Sequence, residues 1–164
     1  MDSLSNFEIL ERIVLSLIAG AIIGMEREWR NRPAGLRTYA LVCEGSALFM
    51  VSSILLSNEM ARNGGTADPS RIASTVVQGV GFIAGGVIFT NRAKVSGLTT
   101  AAGIWMASAI GLAIGAGYYA PAFIGVAAAL FTLVPMHWLE RGVRKSNTRI
   151  EADNDELNDG ANQP

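Results

Sequence analysis

Val95-Ser-Gly-Leu-Thr-Thr-Ala-Ala-Gly-Ile-Trp-Met-Ala-Ser-Ala-Ile-Gly-Leu-Ala-Ile-Gly-Ala-Gly-Tyr-Tyr-Ala-Pro-Ala-Phe-Ile-Gly-Val-Ala-Ala-Ala-Leu-Phe-Thr-Leu-Val-Pro-Met-His-Trp-Leu139 runs for 45 residues without one Asp, Glu, Lys or Arg. A helix at a water interface needs a polar face, and this stretch has none to offer. A bilayer helix takes roughly 20 apolar residues, so the run holds two spans. They divide at Gly115-Ala-Gly-Tyr-Tyr-Ala-Pro121, where Gly and Pro make a turn and two Tyr suit a membrane–water boundary.

The rest of the chain fits this reading. It has 164 residues, 50% hydrophobic and 16% charged. Its mean hydropathy of +0.32 is modest because a polar tail dilutes it. A net charge of -1 points to no polyanionic partner such as nucleic acid, and one Cys precludes an internal disulfide. The apolar segments before the long run are about 9–25, 38–56 and 72–90, followed by 98–115 and 121–139. The prediction is an all-α integral membrane protein, a five-helix transmembrane bundle over residues 1–140, with a polar, acidic and disordered cytoplasmic tail at 141–164. A cleaved signal peptide fits the first segment poorly. Asp2, Glu8 and Glu11 precede it, and no small-x-small site follows.

Basic residues orient the spans. Arg27, Arg30, Arg32, Arg37, Arg92, Lys94, Arg141, Arg144, Lys145 and Arg149 fall on one side, against Arg12, Arg62 and Arg71 on the other. Ten against three predicts the N-terminus outside and the C-terminus in the cytoplasm.

Three Gly-x-x-x-Gly pairs, Gly20/Gly24, Gly81/Gly85 and Gly111/Gly115, each put two glycines on one helix face. In lipid, such faces let backbones approach and gain van der Waals contact. Generic bundle packing is one use, and a homo-oligomeric face or a close-packed permeation or binding site is another.

Charged groups near the spans are the candidate functional residues. Arg30 and Arg32 read as headgroup contacts. Glu26 and Arg37 sit where spans one and two meet the surface, as a structural ion pair or as part of a site. Asp68 reads as a helix N-cap with Pro69 at the first helical position, while Arg71 at the mouth of span three has no such explanation. Glu44 lies about six residues into span two. A carboxylate at that depth costs about 2–3 kcal/mol, so it is a relay candidate unless it is protonated or reaches interfacial water. Thr99 and Thr100, with Ser96, read as helix-start caps or as ligands, Trp105 as packing, and His137 as an interfacial residue. No nucleophile–base pair, phosphate loop or Cys/His metal cluster occurs. The expectation is therefore a non-enzyme with no cofactor, and no metal ligand is assigned.

Gly24-Met-Glu-Arg27, Arg32-Pro-Ala-Gly-Leu-Arg-Thr38, Asp68-Pro-Ser-Arg-Ile-Ala73, Gly79-Val-Gly-Phe82 and Gly97-Leu-Thr-Thr-Ala-Ala102 with Trp105 stand in an order and spacing that resembles the MgtC/SapB family of small bacterial inner-membrane proteins. The resemblance implies a multi-pass inner-membrane protein of four or five spans, linked to growth in low magnesium and to survival inside host cells. Some members are described as inhibiting the proton-translocating ATP synthase, and several carry a magnesium-transporter label. The residues matching the family's polar positions are Glu26, Arg37, Thr38, Asp68, Arg71, Thr99 and Thr100. Three departures from the family pattern stand out: Glu44 occupies a usually apolar position, Gly81-Phe-Ile-Ala-Gly-Gly86 shifts a Gly along span three, and the soluble C-terminal domain of longer members is expected to be missing. The function this suggests is modulation of other membrane proteins during magnesium or cation stress, through a membrane-protein partner in the lipid bilayer. The alternatives are a small oligomeric cation or proton-coupled transporter using Glu44, Glu26 and Asp68, and a structural scaffold.

Overall fold

The computed structural model describes residues 4–91 and 94–135. Arg92, His137, the last residues of the fifth predicted span and the predicted tail all lie outside that range. Five α-helices and one short hairpin make up the described chain: α1 (Asn6–Trp29), α2 (Leu36–Arg62), α3 (Ser70–Gly85), β1 (Phe89–Asn91), β2 (Lys94–Ser96), α4 (Leu98–Gly115) and α5 (Tyr119–Leu133). One compact unit ends at Ala129 and a second begins at Leu130, which holds the end of α5 and the Val134 amide bond to the Leu130 carbonyl.

Ser5 starts α1 with a capping box. Its hydroxyl accepts from the Glu8 amide at 3.2 Å, and its own amide donates to the Glu8 carboxylate at 2.7 Å. The helix then runs past the predicted end of the first segment at residue 25, so Glu26, Arg27, Glu28 and Trp29 are helical. The connection to α2 is only residues 30–35, with Asn31 in the left-handed region at φ 52.

α1, α2 and α4 pack against one another, with α2 and α4 central and α3 alongside both. Glycines set the spacing. A Cβ on Gly20 would lie 2.5 Å from the Tyr39 carbonyl oxygen, and one on Gly24 2.7 Å from the Leu36 Cα. On α4, a Cβ on Gly111 would collide with the Cys43 carbonyl, and one on Gly115 would lie 2.5 Å from that of Ala47. Side chains would hold these backbones apart, and their absence brings the helices into direct contact. Tyr39, Cys43, Ala47 and Val51 of α2 and Ile104, Ala107 and Ile110 of α4 fill the core between them.

α3 ends at Gly85, short of the predicted limit at residue 90. Gly85-Gly86 weakens the helix there, and the β-branched Val87 and Ile88 lead into an antiparallel hairpin pairing Phe89 with Ser96. Gly97, at φ 88, closes it. A Cβ there would run into the Val87 carbonyl, so both the backbone angle and the close approach require glycine. Cβ atoms on Gly81 and Gly85 would meet nothing within 4 Å. The expected packing face of α3 therefore touches no other helix among the described residues.

Candidate functional site

The spacing Ser16, Gly20, Ile23, Arg27 keeps one face of α1 turned inward, and all four residues are buried. The guanidinium of Arg27, 4% exposed, thus ends up between three helices. Its Nη2 donates to the Thr100 Oγ1 at 2.9 Å, in the first turn of α4. The Tyr39 hydroxyl donates to the Thr100 carbonyl at 3.3 Å from α2. Gly103 makes room for that phenol, because a Cβ there would collide with the Tyr39 Oη.

Glu26, also nearly buried, flanks this group. Its carboxylate lies 3.9 Å from the Arg27 Nη1 and pairs with Arg30 one turn on. Neither Glu26 oxygen has a partner in hydrogen-bonding geometry, nor does the Arg27 Nε. Buried charges without their full set of hydrogen bonds are costly, and in native proteins they call for an explanation. This is the strongest such cluster in the described chain. Beside it, Glu28 reaches across to accept the Leu36 amide at 3.1 Å, capping α2 where Gly35 has no side chain to do so. Glu28, Gly35, Leu36, Arg37 and Thr38 line a pocket of about 470 Å³ on this end.

The predicted site residues do not form one cluster. Thr100 joins Arg27, but Thr99 is exposed. Arg37 is exposed and forms no ion pair among the described residues, so of the two readings given for Glu26 and Arg37 the ion pair does not form, and Glu26 lies instead beside Arg27 and Arg30. Thr38 is half-buried at the pocket wall. Glu44 is half-buried on α2, with neither a hydrogen bond nor an ion pair among the described residues.

Asp68 and Arg71 lie at the other end of the bundle. The Ser53 and Ser57 hydroxyls donate to the Pro69 and Ala67 carbonyls, fixing the start of α3 against the second half of α2. That is about 21 Å along α2 from Tyr39, at 1.5 Å per residue. Asp68 accepts the Ser70 amide at 2.9 Å, but the cap position is Pro69 and α3 begins at Ser70, one residue later than expected; bonds to Ser70 hold the Asp68 carboxyl below its ordinary value. Arg71 is exposed beside it. At this same end Arg12 donates to the Gly115 carbonyl at 2.7 Å, placing a cation at the negative end of α4. Midway, the hydroxyls of Ser46 and Ser108 meet at 2.8 Å between α2 and α4.

Arg27, Tyr39 and Arg12 were not picked out by sequence reasoning. For Arg27 the signal was present in its spacing from Gly20 and Ile23. For Arg12 and Tyr39 nothing short of the packing reveals the partner.

The model of the MgtC family matches residues 13–142 of the chain. The chain is 42% identical over 145 residues to YhiD of Escherichia coli (strain K12), a magnesium-transporter candidate by name, covering 88% of this chain and 67% of that protein. It is 41% identical over 113 residues to the protein MgtC of Salmonella typhimurium, covering 69% of this chain and 46% of that one. A Synechocystis sp. protein, slr0014, is 41% identical over 118 residues, covering 72% of this chain and 47% of its own length. The aligned part thus spans about two thirds of one of these relatives and less than half of the other two. No solved structure matches the chain.

Proposed function

The chain belongs to the MgtC family, and from that premise we propose that it is a multi-pass inner-membrane protein that modulates other membrane proteins when magnesium is scarce. Two helices, α2 and α4, are long and apolar enough to cross a bilayer. The surface distribution supports membrane residence. Leu41, Leu48, Phe49, Phe82 and Ile124 face outward, while Ser16, Arg27, Ser46, Thr100 and Ser108 are inside. A protein dissolved in water favours the reverse arrangement. The N-terminus is assigned outside and the C-terminus to the cytoplasm by the basic-residue bias.

One observation carries the choice of a non-enzymatic modulator over a transporter. The buried polar cluster is led by the Arg27 guanidinium, which repels a cation. Magnesium enters through the relatives' names alone. Photo-crosslinking in cells grown at low magnesium tests the reading. The expected result is a distinct membrane protein attached at outward positions, and self-crosslinks alone at every position overturn it.

The name of the E. coli relative favours a second reading, a small cation or proton-coupled transporter. Purified protein in liposomes decides it. Flux that is lost on Glu44→Gln or Glu26→Gln supports a carboxylate path, and no flux removes it.

A further inference from the structure

The Ser53 and Ser57 hydroxyls hold the start of α3 against α2, and beyond that corner the two helices enclose a crevice of about 710 Å³. Val42 and Phe49 of α2 and Val76, Val80 and Ile83 of α3 line it. Its two hydroxyls are already committed. Ser46 bonds to the Val42 carbonyl and to Ser108, and Thr75 donates to the Arg71 carbonyl at 3.0 Å. The walls therefore offer water no free side-chain donor, and apolar cavities stay dry and take apolar ligands. Ile72 lines this crevice and also a second pocket of about 520 Å³ at the start of α3, so the two spaces adjoin. Asp68 and Arg71 stand on the wall of that second pocket. The Arg71 amide bonds to the Asp68 carbonyl at 3.2 Å, so one turn carries both. Both side chains are exposed, and Arg71 forms no ion pair among the described residues.

An apolar slot thus opens into a mouth that carries one anion and one cation. An amphiphile with both charges in its head matches that layout, a phosphate beside the guanidinium and a primary ammonium beside the carboxylate. A trimethylated ammonium has no N–H to give the carboxylate, and a head with a phosphate alone leaves Asp68 facing a like charge. We propose that this crevice is a phospholipid site, taking one acyl chain between α2 and α3 and a phosphoethanolamine head between Asp68 and Arg71. α2, long and apolar enough to cross a bilayer, supplies one wall and sets the crevice at membrane depth. On the orientation assigned above, the mouth faces the outer leaflet. The proposal rests on the membrane reading and needs no modulated partner.

The test uses the full chain reconstituted in phosphatidylcholine vesicles with a trace of phosphatidylethanolamine carrying a diazirine in its acyl chain. Flotation comes first. Protein that does not float with the vesicles overturns the membrane reading, whereas floating protein without selective label overturns only the lipid site. After irradiation, label is expected on Val80, which at 8% exposure is nearly sealed from bulk lipid. It is also expected on Phe49 well above Phe123 of α5, although the two are 58% and 60% exposed. Diazirine lipids with a choline or a glycerol head should label the crevice weakly, and soluble glycerophosphoethanolamine should not compete. Equal label at Phe49 and Phe123, equal label from all three heads, or a crevice without label, as another helix seated there would leave it, overturns the proposal. Variants then probe each part of the site. A Cβ on Gly45 or Gly79, which line the crevice, would meet nothing within 4 Å, so Gly45→Leu or Gly79→Leu should fill the slot and remove the label from Val80. Arg71→Gln should weaken labelling about fivefold, the effect of one charge near a membrane surface. Asp68→Asn keeps an acceptor for the Ser70 amide and should erase the preference for the ethanolamine head over choline. Label on Val80 that persists in both glycine variants, or a head preference unchanged in Asp68→Asn, overturns the proposal.

Discussion

The Gly-x-x-x-Gly pairs of α1 and α4 and the pair of α3 are the same sequence pattern in opposite circumstances. Gly20, Gly24, Gly111 and Gly115 each have α2 backbone pressed against them, whereas Gly81 and Gly85 face open space. The pattern therefore reports that a helix can approach closely, and only the fold says whether the approaching helix belongs to the same chain. The sharpest way to break this contrast is one substitution made in both places. Gly111→Leu drives a side chain into the Cys43 carbonyl, which cannot move without displacing α2. We expect at least about 3 kcal/mol of destabilisation or outright loss of folded protein, read as the yield of monodisperse protein in detergent and its unfolding midpoint. Gly81→Leu should leave monomer stability within about 0.5 kcal/mol. Equal losses at the two sites would mean that α3 packs more tightly than its open face indicates.

Two cations at the same end of the bundle differ in a similar way. Arg27 and Arg37 lie close in sequence and both read as surface cations, yet one is buried on Thr100 and the other exposed. Arg27→Ala removes a charged hydrogen bond and leaves Thr100 unpaired, for a loss of about 1.5–3 kcal/mol. Arg37→Ala should change stability by no more than about 0.5 kcal/mol. Thr100→Val against Thr99→Val gives the same contrast from the other partner, with only the former lowering the unfolding midpoint.

These pairs also mark what could be read from the sequence. Five helices, the close approach of α1 and α4 to α2, and the turn at Asp68 follow from local patterns, because each depends on residues within a turn or two of one another. Arg27 lies beyond a first span ending at Met25, yet its spacing from Gly20 and Ile23 continues the buried face. The hairpin after α3 was unreadable for a different reason. Gly86-Val-Ile-Phe-Thr90 is as apolar as the helix before it, and only the paired glycines mark the break. Arg71 and Glu26, both at polar positions of the family pattern, lie apart for a reason of topology. α3 begins where α2 ends, so its first residues lie at the far end from the last turn of α1.

The contact between α2 and α4 gives a smaller effect. With Ser46 donating to the Val42 carbonyl at 2.8 Å, Ser108 is left to donate to Ser46. A double-mutant cycle of Ser46→Ala and Ser108→Ala should give a coupling of about 0.6 kcal/mol, typical of interhelical hydrogen bonds between membrane helices. A coupling indistinguishable from zero would mean that the glycines alone hold these helices together.

The smallest expected effect separates the helix caps from the buried cluster. Glu8 and Asp68 are both held below their ordinary values of 4.5 and 3.8, Glu8 chiefly by the Ser5 amide and Asp68 chiefly by Ser70. A carboxyl whose folded value is depressed stabilises the fold above its unfolded value and loses that contribution as pH falls through the folded one. Unfolding midpoints in detergent should therefore hold steady from about pH 7 to about pH 5 and decline below about pH 4.5. Glu8→Gln with Asp68→Asn should flatten the acid-side decline contributed by the caps. Arg27 takes no part in either cap, so Arg27→Ala should lower the curve and leave the acid-side decline in place. An acid decline that persists undiminished in the double variant would assign it to another carboxylate, with Glu26 the next to substitute.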